Sequence, residues 1–566
     1  MQRIPIAPDP RAVLAGRGQR LRRVRAATIV IGASAAILFA PAVWAQQDSS
    51  QAAIRAHTEF LADDLLEGRD TGTRGHEIAA RYVAAQLAAI GVEARGTDGY
   101  FQQVPLRRRT LAASRLALAI KGSPVELVNG ETVVVDGSRT ETAEELDLPL
   151  VFVGWGITAP ELGLDDYAGV DVRGKAVVLI EGAPATLPGA LRAHFSWVQQ
   201  KERMAAAAGA VAVVTIKSPE RERISPWDYT RRARLQPALS WYSGNAEQAA
   251  PIKATVSLSP SMATRLFDAH GLDLAAIYAG ASDTPPAARE LDARISIRRE
   301  TRHDDLVSPN VVGMVPGSDP QLRDEYVLVL AHLDHVGIGE PVAGDAIYNG
   351  AIDNAGGVAV MLEAARRIVS ARPSRSVLFV ATTGEERGLI GADYFAAHPV
   401  VDIDRIVAAI SVDGLMAWHD FEDIVALGAD HSNLGEASRR AAAAIGARHI
   451  PDPNPQRGNL ALSDQYPFLR LGIPILFPNP GPRDPATGMA VHPNWQAYEE
   501  NSYHQPSDDT SLPIRWDVAA RWERYIRETI LNIANGPRPA WYRDDPLMHG
   551  FAPNSLPVER PERGAG

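Results

Sequence analysis

The sequence predicts an α/β fold: a mostly parallel, twisted sheet with helices on both faces, plus an inserted β-rich domain. From Asn310 onward, buried strand-like runs alternate with helical stretches, which is the order in which parallel sheets are built. Between Leu148 and Ile216, by contrast, short apolar runs are broken by Gly, Pro and Asp turns, as in a small β-rich unit. With 566 residues and a 46% hydrophobic content, the chain can bury at least two cores.

The first 45 residues are predicted to be a secretory leader. Several arginines precede the apolar run Ala26–Val43, and small residues follow it, with cleavage expected after Ala45. A transmembrane anchor is the alternative, but Gly32, Ser34 and Pro41 interrupt the run. We therefore expect an exported protein, periplasmic or extracellular, with no membrane anchor once the leader is removed.

Two amphipathic helices are predicted after the leader. Apolar residues recur at helical spacing over Ile54–Leu66 and Gly75–Ile90, and Gly91 is a suitable C-terminal stop for the second helix. The polar, glycine-rich connection Glu67–Arg74 either borders a cleft or is a simple loop, and the loop interpretation is favoured. A second polar segment, Ser463-Asp464, is predicted to cap a helix rather than to bind substrate.

The second half of the chain carries the α/β pattern. Its strands are short and apolar, and its helices show a period of 3.6 residues. The predicted strands are 326–331, 376–381, 406–412 and 473–477, and the predicted helices are 356–370, 389–397, 434–445 and 516–533.

The composition excludes several kinds of site and partner. The absence of cysteine rules out thiolate metal sites, structural disulfides and a cysteine nucleophile, so any metal must bind imidazole and oxygen. The 68 acidic residues exceed the 57 basic ones, giving a formal net charge of −11. We therefore expect no nucleic-acid partner. The sequence also lacks a His-Glu-x-x-His helix and a Gly-x-Ser-x-Gly elbow.

Metal-binding residue types follow three of the predicted strands at the point where each strand ends. His332 and Asp334 follow the first strand, Glu385 and Glu386 follow the second, and Asp413 follows the third. In open α/β sheets the carboxyl ends of the strands form the ligand-binding edge. The sequence therefore predicts that these side chains meet in one site.

Each of these residues also has a purely structural interpretation. Asp353 precedes a predicted helix and is suited to cap it, whereas Asp413 precedes a glycine and suits a turn. Glu385 and Glu386 are compatible with a solvated charge run, and an isolated His504 is more often a surface residue than a ligand. The functional interpretation gains its weight from the combination, because proteins seldom place charge directly after core strands.

The motifs resemble, in order, those of the M28 family of co-catalytic zinc aminopeptidases and carboxypeptidases. The segment 148–216 also resembles a protease-associated (PA) domain, which members of this family often carry as an insertion. The matching M28 motifs are Ala331-His332-Leu333-Asp334-His335-Val336-Gly337, Gly350-Ala351-Ile352-Asp353-Asn354, Gly384-Glu385-Glu386-Arg387-Gly388-Leu389-Ile390-Gly391, Ser411-Val412-Asp413-Gly414 and Tyr503-His504-Gln505-Pro506-Ser507-Asp508.

The resemblance implies two Zn²⁺ ions per chain. His332 and Asp413 would hold one ion, Glu386 and His504 the other, and Asp353 would bridge them. Imidazole and carboxylate ligands suit zinc where thiolates are missing.

The resemblance also implies roles for three residues that are not ligands. Glu385 would take a proton from the attacking water and pass it to the leaving amine. Asp334 would orient the imidazole ring of His332 and raise its basicity. Tyr503 would donate a hydrogen bond to the developing oxyanion.

These expectations divide the chain into five parts. They are a leader (1–45), N-terminal helices of the peptidase domain (46–130), the PA-like insertion (131–300), the zinc peptidase domain (301–536) and a C-terminal tail (537–566). We expect an exopeptidase that removes N-terminal residues from peptide substrates. A carboxypeptidase or dipeptidase using the same site, a glutamine cyclase with a reduced metal site, and a non-catalytic binding protein remain as alternatives. The sequence indicates no particular oligomeric state.

Overall fold

The protein is described from a computed structural model that covers residues 41–242, 252–281, 286–551 and 555–560. Most of the predicted leader, residues 1–40, lies outside these ranges. Among the described residues, we find no helix with the length and apolarity needed to cross a bilayer.

The described residues form fourteen α-helices, which are spread along the whole described sequence. They are α1 Pro41–Leu61, α2 Arg74–Ala89, α3 Gly189–Ser196, α4 Val198–Ala207, α5 Pro219–Ile224, α6 Trp227–Leu235, α7 Pro260–Asp268, α8 Leu274–Gly280, α9 Gly357–Ala371, α10 Ile390–Ala397, α11 Leu434–Ala444, α12 Tyr466–Arg470, α13 Pro493–Asn501 and α14 Trp516–Ala534.

Twenty strands are described. They are β1 Glu93–Ala94, β2 Phe101–Ile120, β3 Ser123–Leu127, β4 Val133–Val135, β5 Ala143–Phe152, β6 Thr158–Ala159, β7 Leu164–Asp165, β8 Ala176–Ile180, β9 Ala212–Ile216, β10 Ala238–Trp241, β11 Ala254–Leu258, β12 Arg289–Val315, β13 Tyr326–His332, β14 Gly337–Val342, β15 Asp345–Tyr348, β16 Ser376–Thr382, β17 Ile406–Ser411, β18 Asp423–Leu427, β19 Arg448–Ile450 and β20 Ile475–Pro480.

The main sheet runs β19-β18-β20-β17-β13-β16-β12 and then continues into β5-β8-β9-β11-β4. Its centre is parallel: β13 pairs in parallel with both β16 and β17, and β17 pairs in parallel with β20. β12 and β18 are antiparallel to their central neighbours. The predicted α/β class is therefore confirmed, with antiparallel strands flanking the parallel centre.

Helices cover the central strands on both faces, and the strand sequences show why. In β13, Val327 and Val329 face a core shared with α2, α9 and α14, whereas Leu328 and Leu330 face a second core shared with α10 and α12. Because alternate side chains of a strand point to opposite faces, a strand buried on both faces must be apolar throughout. Every residue of β16 and β17 is accordingly buried.

The strand β12 joins the two halves of the sheet. Its C-terminal end pairs with β16, its N-terminal part pairs with β5, and β2 runs beside it over Phe101–Ile120. The strands β5, β8, β9, β11 and β4, which lie in the segment of the predicted insertion, are therefore hydrogen-bonded into the same sheet as the central strands. The assignment of this module as a PA domain stays a prediction.

The predicted elements of the second half are all present, with ends shifted by at most about three residues. The first N-terminal helix differs more from its predicted bounds. It ends at Leu61, and a 3₁₀ turn over Asp64–Arg69 replaces its predicted last residues. The turn contains Glu67 and Gly68 with positive φ, a conformation that cannot continue an α-helix.

Candidate metal centre

Three strand ends bring the first part of the site together. His332 is the last residue of β13 and pairs in register with Thr382, the last residue of β16. Asp413 lies two residues beyond the end of β17. Because these strands are parallel and adjacent, their carboxyl ends lie at one edge of the sheet, as the sequence predicted.

His332 contacts two carboxylates through one ring nitrogen. Its Nε2 lies 3.0 Å from Asp353 Oδ1 and 3.2 Å from Asp413 Oδ1, and the side chain is buried. Its Nδ1 lies 3.1 Å from the backbone carbonyl of Asp334. If Nδ1 carries the proton and donates it to that carbonyl, Nε2 is free to serve as a ligand.

A second group of side chains shares Asp353 with the first. His504 Nε2 lies 3.2 Å from Asp353 Oδ2 and 3.1 Å from Glu386 Oε2. Asp353 thus contacts His332 through one carboxylate oxygen and His504 through the other. The five predicted ligands come together, and Asp353 lies between the two pairs.

The sequence analysis did not select His335, which the structure places in the same cluster. Its Nδ1 lies 2.7 Å from Glu386 Oε1, and its ring packs 5.6 Å from that of His504. The side chain is fully buried, and neither ring nitrogen makes a hydrogen bond of good geometry in the described structure. The signal in the sequence was its position directly after His332-Leu333-Asp334.

The electrostatic environment of the cluster favours the binding of cations. Burial alone would lower the pKa of His504, but Glu386 and Asp353 raise it to about 11. Burial likewise opposes a charged Glu386, yet the neighbouring histidines hold the pKa of this carboxyl down at about 2. Without metal, the carboxylates therefore keep a proton on His504; a bound metal ion would displace that proton.

The donor set fits zinc. The described residues contain two groups of possible ligands, and within each group the ligand atoms lie within 4.8 Å of one another. The first group is His332 with Asp353 and Asp413, and the second is His335 with Asp353 and Glu386. His335 Nδ1 and Glu386 Oε1 face one another at 2.7 Å, and His335 Nε2 is buried without a hydrogen-bond partner in the described structure. A metal ion would satisfy buried polar atoms of this kind.

The carboxylate of Asp334 has a different partner from the one expected. It accepts hydrogen bonds from the backbone N–H groups of Glu385 (3.1 Å) and Glu386 (3.3 Å), and from the hydroxyl of Thr71 (3.1 Å). Only the backbone carbonyl of Asp334 contacts His332. The predicted carboxylate–imidazole contact is thus replaced by a clamp on the Glu385-Glu386 loop, because this loop follows the neighbouring strand.

Glu385 lies beside the cluster, but its carboxylate is in none of the histidine–carboxylate ion pairs of the described residues. Burial raises the pKa of its carboxyl well above the usual value; the positive charge of His332 opposes this rise, while Asp413 and Glu386 add to it. A carboxylate with a raised pKa next to metal ligands is suited to accept and release a proton.

Tyr503 is half exposed, and its ring stacks on that of His504 at 3.9 Å. Burial and the surrounding carboxylates, Asp353 foremost, raise its pKa well above the usual value, so it stays a hydroxyl donor at neutral pH. Its oxyanion role remains a prediction.

The interpretation of Glu67–Arg74 as a simple loop was wrong. Arg69 is fully buried, and its guanidinium donates to the backbone carbonyls of Leu61, Leu333 (2.9 Å), Asn349 (2.6 Å) and Gly350 (3.0 Å). These bonds tie the N-terminal turn to the segments on either side of the metal cluster.

The close packing at this turn explains its glycine. Gly68 has φ +66°, and a Cβ atom there would lie 2.3 Å from the carbonyl oxygen of Tyr348. A larger residue would therefore push Arg69 away from its acceptors.

Asp508 fixes the segment that carries Asp353. Its carboxylate accepts the backbone N–H groups of Ile352 (2.8 Å) and Asp353 (3.1 Å), and the hydroxyl of Tyr498 (3.1 Å). Asp353 does not cap α9: the helix begins after Gly356, with no side-chain cap. The capping alternative for Asp353 is thereby excluded.

The capping interpretation of Asp464 was also wrong. The carboxylate accepts a hydrogen bond from Thr382 at the end of β16, and its other oxygen is buried without a partner. The helix α12 begins after Gln465, which makes no side-chain cap. Burial raises the pKa of Asp464 to about 7, against the opposing effects of His332 and Thr382.

Buried imidazoles and carboxylates at the carboxyl edge of an α/β sheet are typical of metal-dependent hydrolases. Residues 310–530 match the family model described as peptidase family M28. The candidate metal centre lies within this matched segment.

Individual relatives are more distant. A probable zinc metalloprotease of Pyrenophora teres f. teres (strain 0-1) is 32% identical over 144 residues, which is 25% of this chain and 30% of the relative. Aminopeptidase YwaD of Bacillus subtilis (strain 168) is 29% identical over 170 residues, 29% of this chain and 34% of the relative. The matches thus span about a third of the length of these curated relatives.

A solved aminopeptidase from Aneurinibacillus sp. strain AM-1 aligns over 86% of this chain and 95% of its own, with a TM-score of 0.48 and 18% sequence identity.

Proposed function

We propose that the protein is an exported metallo-exopeptidase that hydrolyses the N-terminal peptide bond of peptides and uses two zinc ions per chain. The observation that carries this proposal is the pair of ligand groups that share Asp353, with Glu385 directly beside them. Both groups lie in a domain that matches a peptidase family.

The ligands divide between two positions. His332 and Asp413 would hold one ion, Glu386 and His504 the other, and Asp353 would bind both through its two carboxylate oxygens. When bound, zinc supplies Lewis-acid polarisation of the scissile carbonyl and lowers the pKa of a nearby water.

Three groups of the chain would carry out the remaining chemistry. The Glu385 carboxylate takes the proton of the attacking water and then delivers it to the nitrogen of the leaving amine. Asp334 holds the backbone of Glu385 in place through the 3.1 Å hydrogen bond. The hydroxyl of Tyr503, whose ring stacks on His504, donates to the oxygen that gains negative charge.

The direction of cleavage is the part of the proposal that most needs a test. The zinc-loaded protein should cleave peptides with a free N-terminus and leave the same peptides intact when that terminus is acetylated. The products can be followed by mass spectrometry. Cleavage that is indifferent to acetylation, but lost when the C-terminus is amidated, would identify a carboxypeptidase instead.

A leader-cleaved N-terminus at Gln46 in protein recovered from the periplasm or medium would support export. Full-length protein retained in the cytoplasm would contradict it.

A further inference from the structure

A small cavity of about 60 Å³ lies where the inserted module meets the peptidase domain. The module contributes Trp197 and residues of α4, including Arg203. The peptidase domain contributes the Gly388-Leu389 turn and α12, which ends at Arg470.

This cavity, which we call the seam pocket, adjoins the loop of the catalytic base. The backbone N–H groups of Gly388 and Leu389 both donate to the carbonyl of Glu385 at 2.9 Å. Three residues of chain span at most about 10 Å, so the pocket wall lies within that distance of Glu385.

The walls of the seam pocket are held in place by side-chain contacts across the seam. The Trp197 ring stacks on that of Tyr466 at 5.2 Å, and its indole N–H donates to the Ala461 carbonyl at 2.8 Å. The Tyr466 hydroxyl lies 2.8 Å from His194 Nδ1 of α3. The pocket is therefore preformed, which reduces the entropy cost of binding.

The charge of the pocket is positive. Arg470 pairs with Asp393, whose second carboxylate oxygen accepts the indole N–H of Trp241 at 3.0 Å. Both oxygens of that carboxylate already accept a hydrogen bond, and the buried Nε of Arg470 has no hydrogen-bond partner in the described structure. Arg203 is exposed, and no carboxylate among the described residues lies within salt-bridge distance of it.

The two arginines also affect one another. Partial desolvation by neighbouring protein atoms lowers the pKa of Arg203 although the residue is exposed, and the charge of Arg470 lowers it further, while Asp393 opposes both effects. Two guanidinium groups facing one occupied carboxylate leave an excess positive charge, which an anion would neutralise. Arginine is well suited to carboxylates because its planar N–H groups match the two carboxylate oxygens.

We propose that the seam pocket binds a carboxylate of the peptide substrate, two or three residues after the cleaved bond. This inference rests on the proposed function, because the N-terminus of the substrate must lie at the metal centre. An extended peptide advances about 3.4 Å per residue, so a group at that position reaches the distance of the pocket wall. The carboxylate is either an acidic side chain or the C-terminus of a short peptide.

The test uses matched tri- and tetrapeptides with a free or amidated C-terminus, and amidated peptides with Glu or Gln at the third residue. The zinc-loaded wild type should show a KM about tenfold lower for each carboxylate-bearing peptide than for its neutral partner, since charge-assisted hydrogen bonds contribute roughly this much. The two peptide series distinguish terminal from side-chain carboxylates.

Arg203→Gln should remove that preference and leave turnover of the neutral peptides unchanged. Arg231→Gln, an exposed arginine of α6 outside the pocket lining, is the matched control and should keep it. Equal KM values for acid and neutral peptides in the wild type would overturn the inference. An equal loss for both classes in Arg203→Gln would also overturn it, because it would indicate a structural role.

Calorimetric titration of zinc-loaded Glu385→Gln separates the two proposals. Tighter binding of the carboxylate peptides, without cleavage by the wild type, would support the pocket and refute the proposed function. Cleavage by the wild type without any carboxylate preference in binding would refute the pocket alone.

Discussion

The candidate metal centre consists of two parts that are built differently. The strand-end half comprises His332, Glu385, Glu386 and Asp413, which follow three adjacent strands of the parallel centre. The loop half comprises Asp353 and His504, which lie on irregular segments.

The position of the strand-end half follows from the ladder of backbone hydrogen bonds between strands. The position of the loop half depends on side chains such as Asp508, and on Arg69 from the N-terminal turn. The geometry of the loop half therefore depends on particular side chains that are far apart in the sequence. The geometry of the strand-end half depends on the pairing of the strands in the sheet.

The largest expected effect separates catalysis from metal binding within the strand-end half. Glu385→Gln should lower kcat at least about 1,000-fold, because the amide cannot accept the proton of water. Both zinc ions should remain bound, as measured by elemental analysis of the purified protein. Asp353→Ala, in the loop half, is the matched comparison and should lose metal as well as activity. Retained turnover in metal-loaded Glu385→Gln would remove this residue from the role of base.

The next effect tests how far the loop half depends on the N-terminal turn. Arg69→Met should lower the free energy of unfolding by about 3 kcal/mol, because it leaves buried carbonyl groups without a donor. It should also weaken zinc binding, since Asn349 and Gly350 lead into the Asp353 segment. Urea unfolding and zinc titration measure the two quantities.

Arg74→Met is the control, because Arg74 is exposed on the same connection. An Arg69→Met protein that is as stable and binds zinc as tightly as the wild type would show that the loop half does not depend on this turn.

A smaller effect is expected at Asp508, which contacts the ligand segment directly. Asp508→Asn replaces one of the two acceptor oxygens by an N–H donor, which then faces the N–H group of either Ile352 or Asp353. Zinc affinity should fall about 10- to 100-fold, the usual effect of losing a group that orients a ligand. Equilibrium dialysis against buffered zinc measures the change, with Asp509→Asn as the neighbouring control. Unchanged affinity would limit the role of Asp508 to the fold.

The smallest expected effect concerns a chain of hydrogen-bonded side chains that lies next to the strand-end half. His76 Nδ1 lies 3.1 Å from Ser308 Oγ, which in turn lies 2.6 Å from Thr383 Oγ1, two residues before Glu385. Burial, and secondarily the charge of Arg69, lower the pKa of His76 from 6.5 to about 3. The folded protein therefore keeps His76 neutral while the unfolded chain takes up a proton below pH 6.5.

The stability contributed by neutral His76 is complete above pH 6.5 and is lost progressively as the pH falls toward 3. From pH 7 to pH 6 this group should lower the free energy of unfolding by about 0.7 kcal/mol. His76→Gln should flatten the pH dependence by that amount in urea titrations of matched samples. An identical slope in the variant would show that His76 titrates normally in the folded state.

The sequence predicted the strand-end half because its signals are local. Continuous apolar runs of strand length identified β13, β16 and β17, and the charged residues directly after them marked the functional edge. Asp353 and His504 had structural alternatives when taken singly, and only the resemblance of ordered motifs placed them with the rest. The domain boundaries of the insertion stay predictions.

The contributions of Arg69, Asp464 and the seam pocket could not be predicted in this way. Arg69 reaches acceptors up to 281 positions away, and Asp464 meets Thr382 across 82 positions. No periodicity or spacing encodes such contacts. They depend on which loops the folded sheet brings together.

The sequence by itself thus determined the α/β class, and it predicted which edge of the sheet holds the candidate ligands and of which chemical type they are. Burial patterns and residue chemistry are properties of short segments, so the chain carries them before it folds. Only the tertiary structure decided that Asp334 clamps the base loop, that His335 joins the cluster and that two arginines meet at the seam. Each of these requires the three-dimensional packing of segments that are separate in the sequence.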